Sequence, residues 1–239
     1  MNICAIIPTY NNERTLSWVI DEVLCYIPSV IVVNDGSTDG TGSILAEYGN
    51  RIMTVSYLTN KGKGYALCKG FRYALSKGFT HAVTIDSDGQ HFAENIPAFI
   101  EAAAARPQAL VIGSRNLKQT NMPEKNTFAN RFSNFWFTVQ TAQRLPDTQT
   151  GYRLYPLLQM GRMRLCTTRY ETELEILVRS AWRGIPLIPI PVRVHYALNR
   201  VTHFRPFWDF VRISLLNTVF CLLAVVYGYP RMLVNFIRS

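Results

Sequence analysis

Two carboxylates one residue apart, Asp86 and Asp88, are followed by an amide oxygen at Gln90 in the run Asp86-Ser87-Asp88-Gly89-Gln90. These are hard oxygen donors. Mg²⁺ or Mn²⁺ held on a diphosphate needs one or two such carboxylates, while substrate oxygens and water complete the octahedron. The competing reading is an Asp-rich turn closed by its own side-chain hydrogen bonds. Asp35 opens a second polar run, Asp35-Gly36-Ser37-Thr38-Asp39-Gly40. Its carboxylate could accept the imide N–H of a uracil or the N–H pair of a guanine, with Asp39 or Thr38 capping the next helix. A third run, Asn60-Lys61-Gly62-Lys63-Gly64, is glycine-rich but lacks the GxxxxGK[ST] spacing of a Walker A loop. Its glycines permit close approach of a ligand, and Lys63 could face a phosphate.

These runs need a scaffold that brings them together. Short apolar runs at 3–7, 30–34, 52–57, 81–85 and 109–113 read as strands. Amphipathic stretches near 13–26, 40–48, 63–77 and 94–105 read as helices. Alternation at this pace gives βαβ units and a mostly parallel sheet, and strands this apolar fit burial under helices on both faces. Ligands of such sheets bind beyond the carboxyl ends of the strands. The polar runs fall there, starting with Pro8-Thr9-Tyr10-Asn11-Asn12-Glu13 after the first strand and ending with Asp86 to His91 after the fourth. Topology thus gathers four loops on one edge.

Residues 115–168 are less periodic, with an aromatic helical stretch near 126–142 and a turn at Pro146-Asp147. A helix near 170–183 follows, and the proline-rich run 185–194 fits only an edge strand or an extended connector. No linker divides the chain. We read one α/β domain over 1–205, in halves 1–114 and 115–205, and a C-terminal extension over 206–239.

The chain has 239 residues, 48% apolar and 17% charged, which excludes a disordered protein and suffices for a large core. Five scattered cysteines without a CxxC pair argue against a disulfide framework or structural zinc and fit a reducing compartment. Residues 1–114 hold 8 basic and 10 acidic side chains, whereas 115–239 hold 17 and 6. The basic half, rich in arginine, suits phosphate contacts. Its aromatics gather at 128–137 and 204–210 rather than interleaving with the basic residues, which speaks against nucleic acid. The start of the chain has no basic region ahead of its short apolar run, so no export signal is expected.

Between Arg212 and Arg231 lie 18 uncharged residues, 213–230. At ~1.5 Å per residue they would just cross a bilayer core. Ser214, Asn217 and Thr218 interrupt the stretch, and aromatic and basic residues bracket it, including Phe204, Phe207, Trp208, Phe210, Arg205 and Arg238. A helix lying in or dipping into the membrane surface is the favoured reading, ahead of a single span and of a buried core helix.

The four polar runs resemble, in order and spacing, the inverting family-two glycosyltransferases of the GT-A fold. Within that family the chain looks most like the dolichyl- and polyprenyl-phosphate sugar transferases. The resemblance covers residues 1–115 closely and the rest loosely. It implies a GT-A type, mostly parallel sheet flanked by helices, with a C-terminal membrane-associating helical extension. It also implies a UDP- or GDP-linked sugar donor, bound by Pro8, Tyr10, Glu13, Asp35, Lys63, Asp86 and Arg200, and a metal held by Asp86, Asp88 and Gln90. Gly113-Ser114-Arg115 is similar to the subgroup's segment that meets the acceptor phosphate, and Asn130-Arg131 to its basic acceptor helix. The run Asp147 to Arg153 is similar to its Asp–Ser–Gly–Phe–Arg block. The stretch Arg200 to Arg205 falls at its arginine-rich loop, without the usual Gly-x-Ser-Lys ending.

The expected function is a metal-dependent inverting transfer of a sugar to a lipid phosphate or lipid-linked acceptor, at the cytoplasmic face of the membrane. Asp88, Arg115 and Arg131 are the catalytic candidates for a phosphate acceptor, which is already ionised and needs placement rather than a base. A hydroxyl acceptor needs a general base. Glu171 and Glu173 are placed for that role where related hydroxyl transferases carry an acid, with His203 in reserve. Acids at a helix N-terminus are also favoured for electrostatic reasons alone. Glu175 reads as the partner of Arg179, and His81, His91 and His195 as packing or loop residues. A nucleotidyltransferase is disfavoured because its glycine-rich signature is absent after the first strand; a non-catalytic nucleotide-sugar-binding scaffold is the remaining alternative.

Overall fold

The apolar runs become the strands of one sheet in the structure, a computed structural model that describes residues 1–115, 124–195 and 206–238. In chain order the strands are β1 (Ile3–Thr9), β2 (Val30–Asp35), β3 (Met53–Tyr57), β4 (His81–Thr84), β5 (Leu110–Arg115), β6 (Arg153–Pro156) and β7 (Leu187–Val192). Their order across the sheet is β3-β2-β1-β4-β6-β5-β7. β1 pairs in parallel with β2 and β4, β2 with β3, and β5 with β7. β6 alone runs antiparallel, wedged between β4 and β5.

Sequence periodicity did not find β6. It has four residues, opens with an arginine and closes with a proline, so it offers no apolar run to recognise. β7 is the expected edge strand, where Pro189 and Pro191 are tolerated because β5 is its sole neighbour.

Helices α1 (Leu16–Leu24) and α4 (Ile96–Ala105) cover one face, and α3 (Lys63–Ser76) and α7 (Glu171–Trp182) the other. The two-residue period of the strands divides the core. Along β1, Cys4 and Ile6 join Leu67, Phe71, Leu177 and Trp182, while Ala5 and Ile7 join Val19, Ile20 and Phe99. The shorter α2 (Thr41–Tyr48) and α6 (Leu157–Gly161) follow β2 and β6, and α5 (Glu124–Thr141) lies ahead of β6.

Helices α8 (Pro206–Leu223) and α9 (Tyr229–Arg238) are joined by a π-helical turn, Ala224–Gly228. One stripe of this long helix is buried on the domain through Asn217, Phe220, Ala224 and Gly228. Trp182 is the hub: its indole N–H donates to the Gln140 carbonyl at 2.8 Å, and the Gln140 amide donates to Asn217 Oδ1 at 3.0 Å. Gly228 packs so closely on that indole that a Cβ would overlap it. The outer face is open, with Val226 77% and Phe236 79% exposed, so this is not a buried core helix.

Candidate functional site

The loops at the carboxyl ends of β1, β2 and β3 are laced to one another. Asp35, buried at the end of β2, accepts the Lys61 and Gly62 N–H groups at 2.7 and 2.8 Å and the Asn60 amide at 3.1 Å. Gly36 (φ 71°) permits this, because a Cβ there would lie 2.6 Å from the Asn60 nitrogen. The carboxylate thereby folds the glycine-rich loop over its strand end. Glu13 accepts the Gly40 N–H at 2.7 Å, bracing the start of α2. Asp39 accepts the N–H groups of Glu13 and Thr41, both at 3.1 Å, which is the supporting role expected of it. Burial works against its charge, yet hydrogen bonds from Thr41 and Glu13 hold its carboxyl below the usual range. Pro8 is buried within the end of β1, and Tyr10 is half-buried beyond it.

Deeper in the site three charges meet. Lys63, the first residue of α3, reaches Asp86 Oδ1 at 2.7 Å and Glu173 Oε1 at 3.1 Å. Sequence reasoning aimed Lys63 at a phosphate; the fold sets it between two carboxylates. Burial opposes its charge, but Asp86 and Glu173 together raise its pKa above the ordinary lysine value. For Asp86 burial is likewise outweighed, by Lys63 first and then by His91 and Arg153, so its carboxyl is held low. His91 is pushed down to about 4 by burial, against the pull of Asp86, and is neutral at pH 7. His81 is an ordinary packing residue, bonded through Nε2 to the Pro107 carbonyl at 2.8 Å. His195 joins the loop through its backbone, donating to the Gln90 carbonyl at 2.8 Å.

Gly151 roofs the charged cluster. A Cβ there would lie 2.5 Å from Lys63 Nζ, 2.8 Å from Glu173 Oε1 and 3.0 Å from Asp86 Oδ2. Gly151→Ala is expected to spread the three charges and lower transfer roughly 100-fold, the scale of losing one preorganised electrostatic contact. Its melting temperature should stay near wild type, because the displaced atoms are side-chain ends. Equal turnover of the two proteins would show that the cluster tolerates displacement.

On the other half of the site, Arg115 ends β5 and forks onto Asp147, with Nε to Oδ2 at 2.6 Å and Nη2 to Oδ1 at 2.9 Å. Asp147 is wholly buried and also accepts the Asn130 amide at 2.6 Å and the Gln149 N–H at 3.0 Å. Burial opposes its charge, but the fork with Arg115 keeps its carboxyl low. Arg131, next to Asn130 on α5, points outward and is exposed. Glu171 is buried, with Oε2 lacking a partner. Glu175 is bound to Arg179 at 2.6 Å, as its spacing implied.

The fold therefore joins Lys63, Asp86 and Glu173 directly, and His91 feels both Asp86 and Arg115 across the site. Three residues of this constellation, Asp147, Gly151 and Arg153, lie in the run similar to the family's Asp–Ser–Gly–Phe–Arg block, but the sequence assigned none of them a role of its own. Arg153 is fully buried and donates to the Glu173 and Thr148 carbonyls at 2.7 and 3.0 Å, tying the start of α7 to the loop between α5 and β6. An arginine amid the apolar Tyr152, Leu154 and Tyr155 was the available signal. Arg200 and His203 lie outside the described residues, as do the side chains of Phe204, Arg205, Phe207, Trp208, Phe210 and Arg238.

Among the described residues no three His, Cys, Asp or Glu side chains converge as a metal cage. The donors present are two carboxylates and one amide, all oxygen ligands. Asp88 accepts the Gln90 backbone N–H at 3.0 Å and its side-chain amide at 2.7 Å, so those two side chains already meet. A partial set of this kind fits an octahedral Mg²⁺ or Mn²⁺ that draws its remaining ligands from a diphosphate and water.

Comparison with known proteins identifies the family and the fold. The family model described as Glycosyl transferase family 2 matches residues 4–158. The UDP-N-acetylglucosamine–dolichyl-phosphate N-acetylglucosaminyltransferase of Methanococcus voltae is 28% identical, over 81% of this chain and 86% of that protein. The undecaprenyl-phosphate mannosyltransferase of Micrococcus luteus is 29% identical, over 80% and 83%. Among solved structures, glucosyl-3-phosphoglycerate synthase from Mycobacterium tuberculosis, in complex with Mn²⁺, UDP and phosphoglyceric acid, superposes with a TM-score of 0.68 at 19% identity. The match covers 93% of this chain and 78% of that one.

Proposed function

This chain belongs to glycosyl transferase family 2 and has the GT-A fold, and from that premise we propose which sugar transfer it performs. It moves a sugar from a UDP- or GDP-linked donor to the phosphate of a membrane lipid, with inversion, at the cytoplasmic face. The lipid-phosphate acceptors named for its relatives support this reading.

Asp86, Asp88 and Gln90 would hold Mg²⁺ or Mn²⁺ against the donor diphosphate, where a bound ion neutralises charge on the leaving group. Lys63 adds a cation fixed beside Asp86, and Asp35, with the loop it folds, would receive the base. The acceptor phosphate oxygen bonds to the anomeric carbon from the face opposite the leaving diphosphate. The bond from that carbon to the diphosphate breaks, and its electron pair leaves with the diphosphate. Arg115, aimed by Asp147, orients the acceptor, and no proton need be removed.

The observation that carries the phosphate reading is the fork between Arg115 and buried Asp147. It fixes a guanidinium at the strand end, while Glu173 and Glu175 are committed to Lys63 and Arg179. One observation favours a second reading: Glu171, whose buried Oε2 lacks a partner, could serve as base for a hydroxyl acceptor. Assays with labelled UDP- and GDP-sugars on polyprenyl phosphate and on the free polyprenol separate the two. Arg115→Ala should lower transfer about 100-fold or more while Glu171→Gln stays near wild type. The reverse pattern would establish the hydroxyl reading, and two mild variants would refute both.

A further inference from the structure

We infer that the helix of α8 and α9 lies in the plane of an anionic lipid leaflet, its outer apolar face in the lipid and Arg183 and Arg231 on headgroup phosphates. The inference rests on the membrane-lipid acceptor proposed above and adds the orientation and the lipid class.

Val211–Ile237 is long and apolar enough to cross a bilayer. Yet the domain holds it along most of that length. Near one end Asn217 accepts from Gln140, and Phe220 stacks edge-on against Trp182 with ring centroids 5.5 Å apart. Near the other, the Tyr229 hydroxyl donates to the Val139 carbonyl and the Asn235 amide to the Trp182 carbonyl, the latter at 3.3 Å. A transverse helix would carry α5 and α7 into the hydrocarbon, with the half-exposed Arg179 and its partner Glu175. Detaching from them would leave the polar atoms of Gln140, Asn217 and Trp182 unpaired there, at several kcal/mol each. Lying in the plane avoids both penalties.

The face opposite the docked stripe is open and apolar. Leu222, Val226, Leu233 and Phe236 are 67, 77, 60 and 79% exposed. A surface of this size and composition calls for a partner. Charge at its border identifies which. Arg231 sits over the Tyr227 ring at 5.6 Å, and that ring packs on Trp182. Arg183 follows Trp182 directly and donates to the Arg162 carbonyl at 3.0 Å. Burial and then the nearby Arg231 and Arg179 lower the Arg183 pKa, as expected where cations crowd together. The acid in this group, Glu175, is already bound to Arg179. A second copy seated on this face would bring its own arginines against these, whereas anionic headgroups neutralise them.

Full-length protein sedimented with vesicles tests the inference, without donor or acceptor present. Binding should be stronger to phosphatidylcholine vesicles containing phosphatidylglycerol than to phosphatidylcholine alone. Arg183→Gln with Arg231→Gln should weaken binding to the anionic vesicles about 30-fold at low salt, from ~1 kcal/mol per arginine, and leave the neutral vesicles unaffected. Leu222→Glu with Val226→Glu should abolish both, with melting temperatures near wild type in every variant. Spin labels on Val219→Cys, Val226→Cys and Leu233→Cys, with the native cysteines replaced, should report equal depth. Depth graded across the bilayer would overturn the in-plane placement. A vesicle-free dimer that covers the face would overturn lipid as its occupant, and binding indifferent to the two arginines would overturn their contact with anionic headgroups. Protein that binds vesicles as stated yet glycosylates no lipid phosphate would refute the acceptor reading alone.

Discussion

Lys63→Met is expected to cost the folded protein about 3–5 kcal/mol and to abolish sugar transfer, the scale for removing one partner from a buried ion pair. Asp86 and Glu173 both reach the ammonium, and without it two carboxylates lie close together under Gly151. The pH dependence should then invert. In the native protein the raised Lys63 value contributes stability that is complete below the ordinary lysine range and lost as pH rises through the folded value. The lowered Asp86 value contributes stability present above the ordinary carboxylate range and lost as pH falls through the folded value. Between about pH 5 and pH 10 these two contributions are therefore level. In Lys63→Met the two carboxylates gain by sharing a proton, so the variant should grow more stable as pH falls from about 8 to 5. Urea unfolding across that range reads the slope directly. A variant as stable as wild type at pH 8 would show that the carboxylates are solvated rather than held together.

Asp147→Ala should be nearly as damaging, at about 3–5 kcal/mol, because it removes the buried carboxylate from its ion pair with Arg115 and leaves the buried Asn130 amide without its acceptor. The informative partner is the double variant Arg115→Met with Asp147→Leu. Replacing a buried pair with apolar side chains of similar size is often neutral, so this protein should melt above Asp147→Ala, short of wild type because the Asn130 amide still loses its acceptor, and still fail to transfer sugar. That outcome separates the positioning of an acceptor from stability. The lowered Asp147 value contributes stability that is lost as pH falls through the folded value, so wild type should have the steeper acid limb below about pH 4. Thermal melts of the two proteins at falling pH check this. Parallel acid limbs, or an active double variant, would remove Asp147 from the acceptor side.

The donor half was legible because its signals are local. Short, almost wholly apolar runs placed five strands within a residue or two of their observed bounds, and the parallel topology followed from their pace. In such a sheet all the strand ends point one way, so Asp35, Lys63 and Asp86 were committed to one edge before any side-chain contact was known. The proline-rich edge strand and the pairing of Glu175 with Arg179 were readable for the same reason, since each depends on near neighbours in the chain.

What tertiary structure alone decided is how those groups are spent. Asp35 ties down a loop 25 residues away, Lys63 is claimed by Asp86 and Glu173, and Arg115 is aimed by an aspartate 32 residues downstream. None of these partners is set by local spacing. β6 was invisible because its four residues are held by two flanking strands rather than by their own pattern, and it carries the buried Arg153 into the site. The C-terminal helix divides the same way. Its composition determined that it is apolar, a sum over its own side chains. Which stripe is buried depended on the fit of Gly228 against Trp182 and of Asn217 against Gln140, a contact between surfaces that one sequence does not encode locally.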